Sequence, residues 1–290
     1  MPLVSIVTPV FNAGRWLPET LASVAGQTFA DWEHLLVDDG SSDDSVAIVE
    51  RAARADPRIR LLRLATNGGP ARARNAALAQ ARGRYLAFLD ADDLWLPAKL
   101  ERSLAFLRLG GCDFCYHAFR YLSADGTSAG HVVKGPRRLT LRSHHTRRGT
   151  GDCMSLVIDC ERVPGFRFGD NDTGIHEDWL AWLGLVRQGH LGSLLPEDLG
   201  RYRLSADSRN AKKLASARAV WRLYRHTEGL AWPRATGWWT LYAWNSFWLH
   251  LRSRPRRRSR LRPEAVLPRP VAASPGQTVS KPSPVPAKTG

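Results

Sequence analysis

The chain has 290 residues, 43% hydrophobic and 24% charged, the make-up of a globular protein with one sizeable domain plus appendages, or two small domains. Its net charge of +15, concentrated in residues 137–148 and 252–262, points to acidic partners such as a nucleotide, anionic lipid or nucleic acid. Residues 1–12 lack a basic, cleavable leader, and no apolar run approaches the roughly 20 residues of a spanning helix, so neither a signal peptide nor a membrane span is expected.

In chain order, residues 3–7 form a short β-rich run stopped by Thr8 and Pro9. Residues 15–25 carry Trp16, Leu17, Leu21 and Val24 at helical spacing, and Gly26 is placed to end that helix. A second strand, 32–37, runs into the polar turn Asp38-Asp39-Gly40-Ser41-Ser42-Asp43. A helix over 45–55, a strand over 59–64, the turn Asn67-Gly68-Gly69-Pro70 and an alanine-rich helix over 71–81 bearing Arg72 and Arg74 follow. The fourth strand, residues 85–89, has no polar residue, as expected of a strand buried on both faces. Four alternations of strand and helix imply an α/β fold with a mostly parallel sheet flanked by helices.

Immediately after the fourth strand come Asp90, Asp92 and Asp93. Three carboxylates in four residues repel one another and are costly to desolvate. One reading is an acidic turn in which Asp93 caps the next helix. The other is a cation site, with oxygen-only ligands suited to Mg²⁺ or Mn²⁺ and the remaining ligands supplied by a phosphorylated substrate. Ligands in such sheets bind beyond the carboxyl ends of the strands, where Thr8-Pro9, Asp38-Asp39 and Asp90-Ala91-Asp92 converge, and this favours the cation site. Neither the Rossmann glycine fingerprint nor a phosphate-loop lysine motif is present.

Beyond this half, residues 100–109 read as a helix, 114–122 as a strand before the hairpin signal Asp125-Gly126, and 154–158 as another strand. Cys112 and Cys115 lack the second half of a zinc site; with Cys153 and Cys160 they read as buried thiols in a reducing compartment. His144 and His145 fall in a basic loop and read as solvated rather than metal-binding. His176-Glu177-Asp178-Trp179 opens a helix over 179–188, where acidic first-turn residues favour the dipole. Residues 211–225 form a basic helix. A tryptophan-rich segment from Trp238 to Leu251 and the arginines up to Arg262 then suit an interfacial helix on an anionic membrane or a helix packed on the core. The proline-rich residues 263–290 have too little apolar material for a core and are expected to be disordered.

LVSIVTPVFN, LLVDDGSSDDS, NGGPARARNAAL, YLAFLDADD and HEDWLAWL, in this order, resemble the inverting family 2 glycosyltransferases of GT-A fold, across residues 2–209. The stretch from Gly200 to Arg225 is similar to bacterial enzymes of teichuronic-acid-type surface polysaccharide synthesis. The resemblance implies a catalytic domain over 1–209, a helical C-terminal extension over 210–262 and a tail over 263–290. It implies a nonprocessive transfer of sugar from a nucleoside diphosphate sugar, a UDP-sugar first, to a glycan or lipid-linked acceptor. Such an enzyme would work in the cytoplasm or at the inner face of its membrane, with nucleic acid last among partners. By position, Thr8, Pro9, Asp38, Asp39 and Arg74 would line the nucleotide pocket, Asp90 and Asp92 would hold the sugar nucleotide, Asp92 and Asp93 the metal, and Asp178 would be the catalytic base. Two departures, Pro70-Ala71 for serine-alanine and Gly184 for a basic residue, keep open an alternative: a catalytically silent sugar-nucleotide or nucleic-acid binding protein. The absence of a Q-x-x-R-W signature argues against a processive synthase.

Overall fold

The computed structural model describes residues 1–146, 152–169, 177–204 and 213–253. The expectation of a disordered tail over 263–290, and most of the arginine run, lie outside these residues. Strands β1 (Val4–Val10), β2 (Trp32–Asp38), β3 (Ile59–Arg63) and β4 (Tyr85–Phe88) pair in parallel in the order β3-β2-β1-β4. Helices α1 (Leu17–Ala25), α2 (Ser45–Ala55) and α3 (Gly69–Leu78) connect them. Period-two alternation sorts the side chains. Val4, Ile6, Tyr85 and Ala87 face α1 and α2, while Val7, Leu35, Val37 and Phe88 face α3. A strand covered on both sides has no solvent-facing side, so β4 is apolar throughout and the polar residues of β1 and β2 are buried in pairs, the Ser5 hydroxyl donating to Glu33 at 2.7 Å and Thr8 Oγ1 lying 2.8 Å from His34.

Past β4 the sheet becomes mixed. β5 (Leu94–Trp95), β6 (Phe114–Leu122), β7 (Ala129–Val133), β8 (Leu156–Asp159) and β9 (Gly192–Arg203) extend it to nine strands among the described residues. β8 pairs antiparallel with β4 and β6, β7 with β6, and β5 with β9, whereas β6 and β9 run parallel. The mostly parallel character therefore belongs to the first half. Helix α4 (Lys99–Arg108) packs on the α1 side, and α6 (Glu177–Arg187) on the α3 side.

Several expectations change. Asp93 caps no helix, because α4 starts six residues later and Leu94–Trp95 leave the turn as β5. Gly26 ends α1 at φ −82°, a conformation open to any residue, so its missing Cβ is not what stops the helix. His144 and His145 are not solvated. They lie in the short helix α5 (Leu141–His145), and the His144 ring stacks on Trp179 at 4.9 Å between centroids. Among the described residues no group of three or more side chains suited to a metal includes them. Cys112, Cys115 and Cys153 are buried free thiols, and Cys160 is half-buried.

The C-terminal segment forms α7 (Lys213–Arg222), a π-helical turn (Leu223–Thr227) and α8 (Trp232–Ser253). Leu183 of α6, Val220, Leu223, Tyr224, Ala235 and Tyr242 make a separate apolar core beneath them. Of the two roles open to the tryptophan-rich segment, packing on the core is realised by this face.

Burial holds three histidines neutral. Desolvation pushes His34, His117 and His144 down to about 3. Each is uncharged in the folded chain and takes a proton in the unfolded chain below its ordinary value near 6.5. Their contribution to stability is therefore complete above pH 6.5 and is lost as pH falls toward 3, at roughly 1.4 kcal/mol per pH unit for each group. Thermal unfolding should show a melting temperature that drops steadily from pH 7 to pH 4, with a shallower drop for His117→Phe than for the native chain.

Candidate active site

The loops beyond β1, β2 and β4 meet the start of α6 at one edge of the sheet. Asn12, in the left-handed region at φ 49°, lies beyond β1, and its Oδ1 accepts from the Ser42 amide at 2.8 Å. The Ser41 hydroxyl contacts the Asn12 amide at 3.0 Å, which ties the first two loops together. Asp38 ends β2, its Oδ1 accepting from the Ser41 amide at 3.1 Å. Asp39 turns toward the N-terminus of α3, where its two oxygens accept from the Gly68 and Gly69 amides at 2.8 and 2.7 Å. An anion suits that helix end. Gly69 adopts φ +82°, which other residues rarely do, and this presents its amide to Asp39.

Thr8 sits one layer beneath the edge. Its side chain is buried, and Oγ1 lies 2.8 Å from His34 Nε2. Pro9 is half-buried at the same strand end.

Arg74, on α3, is at the centre of the arrangement. Its Nη2 contacts Asp90 Oδ1 at 2.5 Å and its Nη1 contacts Glu177 Oε1 at 2.8 Å. The side chains of Arg74 and Glu177 are 2% and 3% exposed, while Asp90 keeps 29%. Burial alone would lower the guanidinium's proton affinity, but Asp90, Glu177 and Asp178 together raise it, so the charge stays in place. The guanidinium also lies 5.2 Å from the Phe168 ring centroid, and Phe168 is pinned by two backbone hydrogen bonds to the Asn75 side chain, at 2.8 and 2.9 Å. Asp178 follows Glu177 in the first turn of α6, its Oδ1 accepting from the Trp179 amide at 2.7 Å.

The turn after β4 is braced from β9. The Arg203 amide donates to Asp93 Oδ1 at 2.8 Å, and its guanidinium donates to the Asp92 carbonyl at 2.9 Å and to Glu19 at 2.6 Å while lying over the Trp16 ring. The Thr20 hydroxyl adds contacts to the carbonyls of Ala91 and Asp93 at 2.9 and 3.0 Å. Asp93 is buried, and burial with Asp92 and Asp90 nearby pushes its carboxyl well above the ordinary range.

Of the residues expected from sequence, Asp38, Asp39, Arg74, Asp90, Asp92 and Asp178 thus gather at the edge, and Thr8 and Asp93 support them from below. Glu177 and Arg203 are additions. The acidic first turn explains Glu177 by the helix dipole alone, and only the fold brings it to Arg74 across 103 residues of chain. Arg203 carries no local signal at all.

The donor set suits a hard divalent cation, being made of carboxylate oxygens only. Asp93 Oδ2 is a buried oxygen that lacks a hydrogen-bond partner, as a metal-facing group would. With no group of three or more ligating side chains among the described residues, the protein would offer one or two carboxylates, the usual share for Mg²⁺ beside substrate phosphates.

The sequence profile described as glycosyl transferase family 2 matches residues 5–159. A Bacillus subtilis protein assigned to teichuronic acid biosynthesis, the glycosyltransferase TuaG, is 35% identical over 245 residues, covering 84% of this chain and 96% of that protein. The Escherichia coli UDP-Glc:alpha-D-GlcNAc-diphosphoundecaprenol beta-1,3-glucosyltransferase WfgD is 32% identical over 76% of this chain and 84% of its own length. In fold, the chain is similar to Staphylococcus aureus TarS 1–349 in complex with UDP-GlcNAc, with a TM-score of 0.63 at 22% identity over 85% of this chain and 73% of that one. The mannosyltransferase PcManGT of Pyrobaculum calidifontis, in complex with GDP-Man and Mn²⁺, gives 0.58 at 19% identity over 84% and 70%. The chain belongs to glycosyl transferase family 2. It is a glycosyltransferase of GT-A fold, and the silent binding protein is set aside.

Arg74→Ala would remove the guanidinium paired with the buried carboxylate of Glu177, and breaking a buried ion pair from one side costs about 3–5 kcal/mol. Urea unfolding should report that loss, and Arg74→Ala/Glu177→Gln should recover part of it. Identical midpoints for Arg74→Ala and the native chain would mean the bridge does not hold the edge together.

Proposed function

We propose that this glycosyltransferase is nonprocessive and inverting, moving a sugar from a nucleoside diphosphate sugar, a UDP-sugar first, to a hydroxyl of a glycan or lipid-linked acceptor in surface polysaccharide synthesis. The observation that carries the reading is the buried Asp90–Arg74–Glu177 bridge, which joins the acidic strand end to the helix turn bearing Asp178. The relatives support the substrate classes: TuaG is assigned to teichuronic acid biosynthesis, WfgD to glucosyl transfer from UDP-Glc onto a diphosphoundecaprenol-linked sugar, and TarS was solved with UDP.

In this reading Thr8 and Pro9 shape the floor of the nucleotide pocket, and Asp38 and Asp39 face the base, with Asp39 released from the Gly68 and Gly69 amides to meet it. Arg74 holds Asp90 in place beside the diphosphate. Asp92, backed by the buried Asp93, would hold Mg²⁺ or Mn²⁺, which when bound stabilises negative charge on the leaving diphosphate. Asp178 takes the proton from the acceptor hydroxyl. The oxygen then attacks the anomeric carbon from the face opposite the diphosphate, the carbon–oxygen bond to the diphosphate breaks with its electron pair leaving on the diphosphate, and the centre inverts. Glu177 fixes the start of α6, so the carboxylate of Asp178 keeps one orientation. The four free cysteines fit a reducing, cytoplasmic site of action.

Asp178→Asn should abolish transfer, by about 10²–10⁴-fold or more, while UDP still binds with native affinity. Turnover at the native rate would remove Asp178 from the chemistry. Asp92→Ala should lose the component of UDP affinity that Mn²⁺ confers, read as calorimetric titrations that no longer differ with and without EDTA; a persisting EDTA effect would place the cation elsewhere.

A further inference from the structure

Helix α8 is apolar on two opposite faces. Ala235, Trp238, Trp239 and Tyr242 pack against α6 and α7, and Asn245 Nδ2 donates to the Thr146 carbonyl at 2.7 Å on the same side. On the far side Leu241, Trp244, Phe247 and Leu251 recur at helical spacing and are 45%, 62%, 59% and 58% exposed. Trp248 joins this stripe, its ring centroid 5.8 Å from Trp244 and 5.7 Å from Phe247. Pro233, Gly237 and Thr240 continue the face toward its N-terminus, so it bears no charged residue. A helix that is hydrophobic all round is ordinarily buried, and a contiguous exposed aromatic stripe marks a surface that meets something apolar.

We infer that this stripe is the face by which the protein docks on an anionic lipid bilayer. Charge selects the occupant. The sequence from Arg252 to Arg262 carries seven arginines in eleven residues, and no acidic residue occurs between Glu228 and Glu264. Aromatic side chains enter the headgroup boundary while an adjoining arginine run neutralises anionic headgroups. A second copy of the chain would bring the same arginines against themselves, and a nucleic acid would have no use for the leucine and phenylalanine. No described helix is long and apolar enough to cross the membrane, so the helix lies on it.

The docked geometry deepens the transferase reading, on which it rests, by naming the side from which an acceptor arrives. Trp179, next to Asp178, meets Tyr242 on the core face of α8 at 6.1 Å between ring centroids. With the stripe in the headgroups, the start of α6 stands roughly one helix diameter, about 10 Å, above the lipid. A sugar carried on a membrane lipid reaches that height without leaving the bilayer.

The test is sedimentation of the full chain with phosphatidylglycerol-containing vesicles and with pure phosphatidylcholine vesicles. The native chain should bind the anionic vesicles at least about tenfold better, with binding weakened in high salt. Trp244→Glu/Phe247→Glu should lose that binding at least about tenfold while UDP-sugar hydrolysis in solution is unchanged. Should that variant fail to fold, quenching of native tryptophan fluorescence by lipids brominated near the headgroup decides, and absence of quenching overturns docking. The inference also falls if the native chain ignores anionic vesicles, if the variant binds them as well as the native chain, or if the substitutions only convert a dimer into monomers. Donor hydrolysis measured without vesicles keeps the two readings apart, since lost docking with intact hydrolysis refutes the surface alone, and docking without hydrolysis refutes the chemistry alone.

Discussion

A guanidinium held between two carboxylates organises the candidate active edge of the sheet. Taking the charges of Arg74 and Glu177 out of water costs several kcal/mol for each ion, and mutual attraction offsets that only with close, well-aligned contacts. Arg74 meets the condition with bonds of 2.5 and 2.8 Å to groups supplied by the end of β4 and the start of α6. Neither element can move alone without breaking one of the two ion pairs of the buried guanidinium. A bridge of this kind adds little net stability compared with apolar packing, so its value lies in registration: the turn carrying Asp92 and the turn carrying Asp178 keep one relative position.

The surrounding layer follows the same logic at lower charge. Arg203 ties the aspartate turn to α1 through Glu19 and to β9 through its own amide. Asn12 and Asp39 stitch the loops beyond β1 and β2 to each other and to α3. Apart from the Arg203–Glu19 ion pair, each bond satisfies a backbone group that the open edge of a sheet would otherwise leave to water. Short polar loops therefore hold a fixed cradle although they contribute almost nothing to either large apolar core.

Strand and helix alternation made the first half of the fold legible, because both faces of β1, β2 and β4 are covered and their largely apolar runs are short. The acidic positions at the strand ends were legible for the same reason, as they interrupt those runs at the edge where ligands bind. Later features depend on contacts far apart in sequence. His144 and His145 sit among basic residues and look solvated, yet Trp179, Tyr224 and Trp238 enclose them. Glu177 has a sufficient local explanation, the helix dipole, which conceals its partner on α3. The antiparallel half of the sheet is set by pairings such as β4 with β8, separated by some seventy residues, which no local period encodes.

The two faces of α8 show why composition alone could not decide between packing and interfacial binding. Both signals are present in the same 22 residues, because a helix offers separate stripes at offsets of three and four and can satisfy each demand with a different set of aromatics. The inner set reaches the candidate active site. Tyr242 touches Trp179, Trp238 touches His145, and the Trp179 carbonyl lies 3.0 Å from His144 Nε2. Desolvation keeps His144 neutral, so this aromatic block is a rigid apolar mount rather than a titrating one near neutral pH. Displacement of α8 would therefore be transmitted through Trp179 to the first turn of α6, where Glu177 holds Arg74. The C-terminal helices thus share one apolar core with α6 and meet its first turn through Trp179.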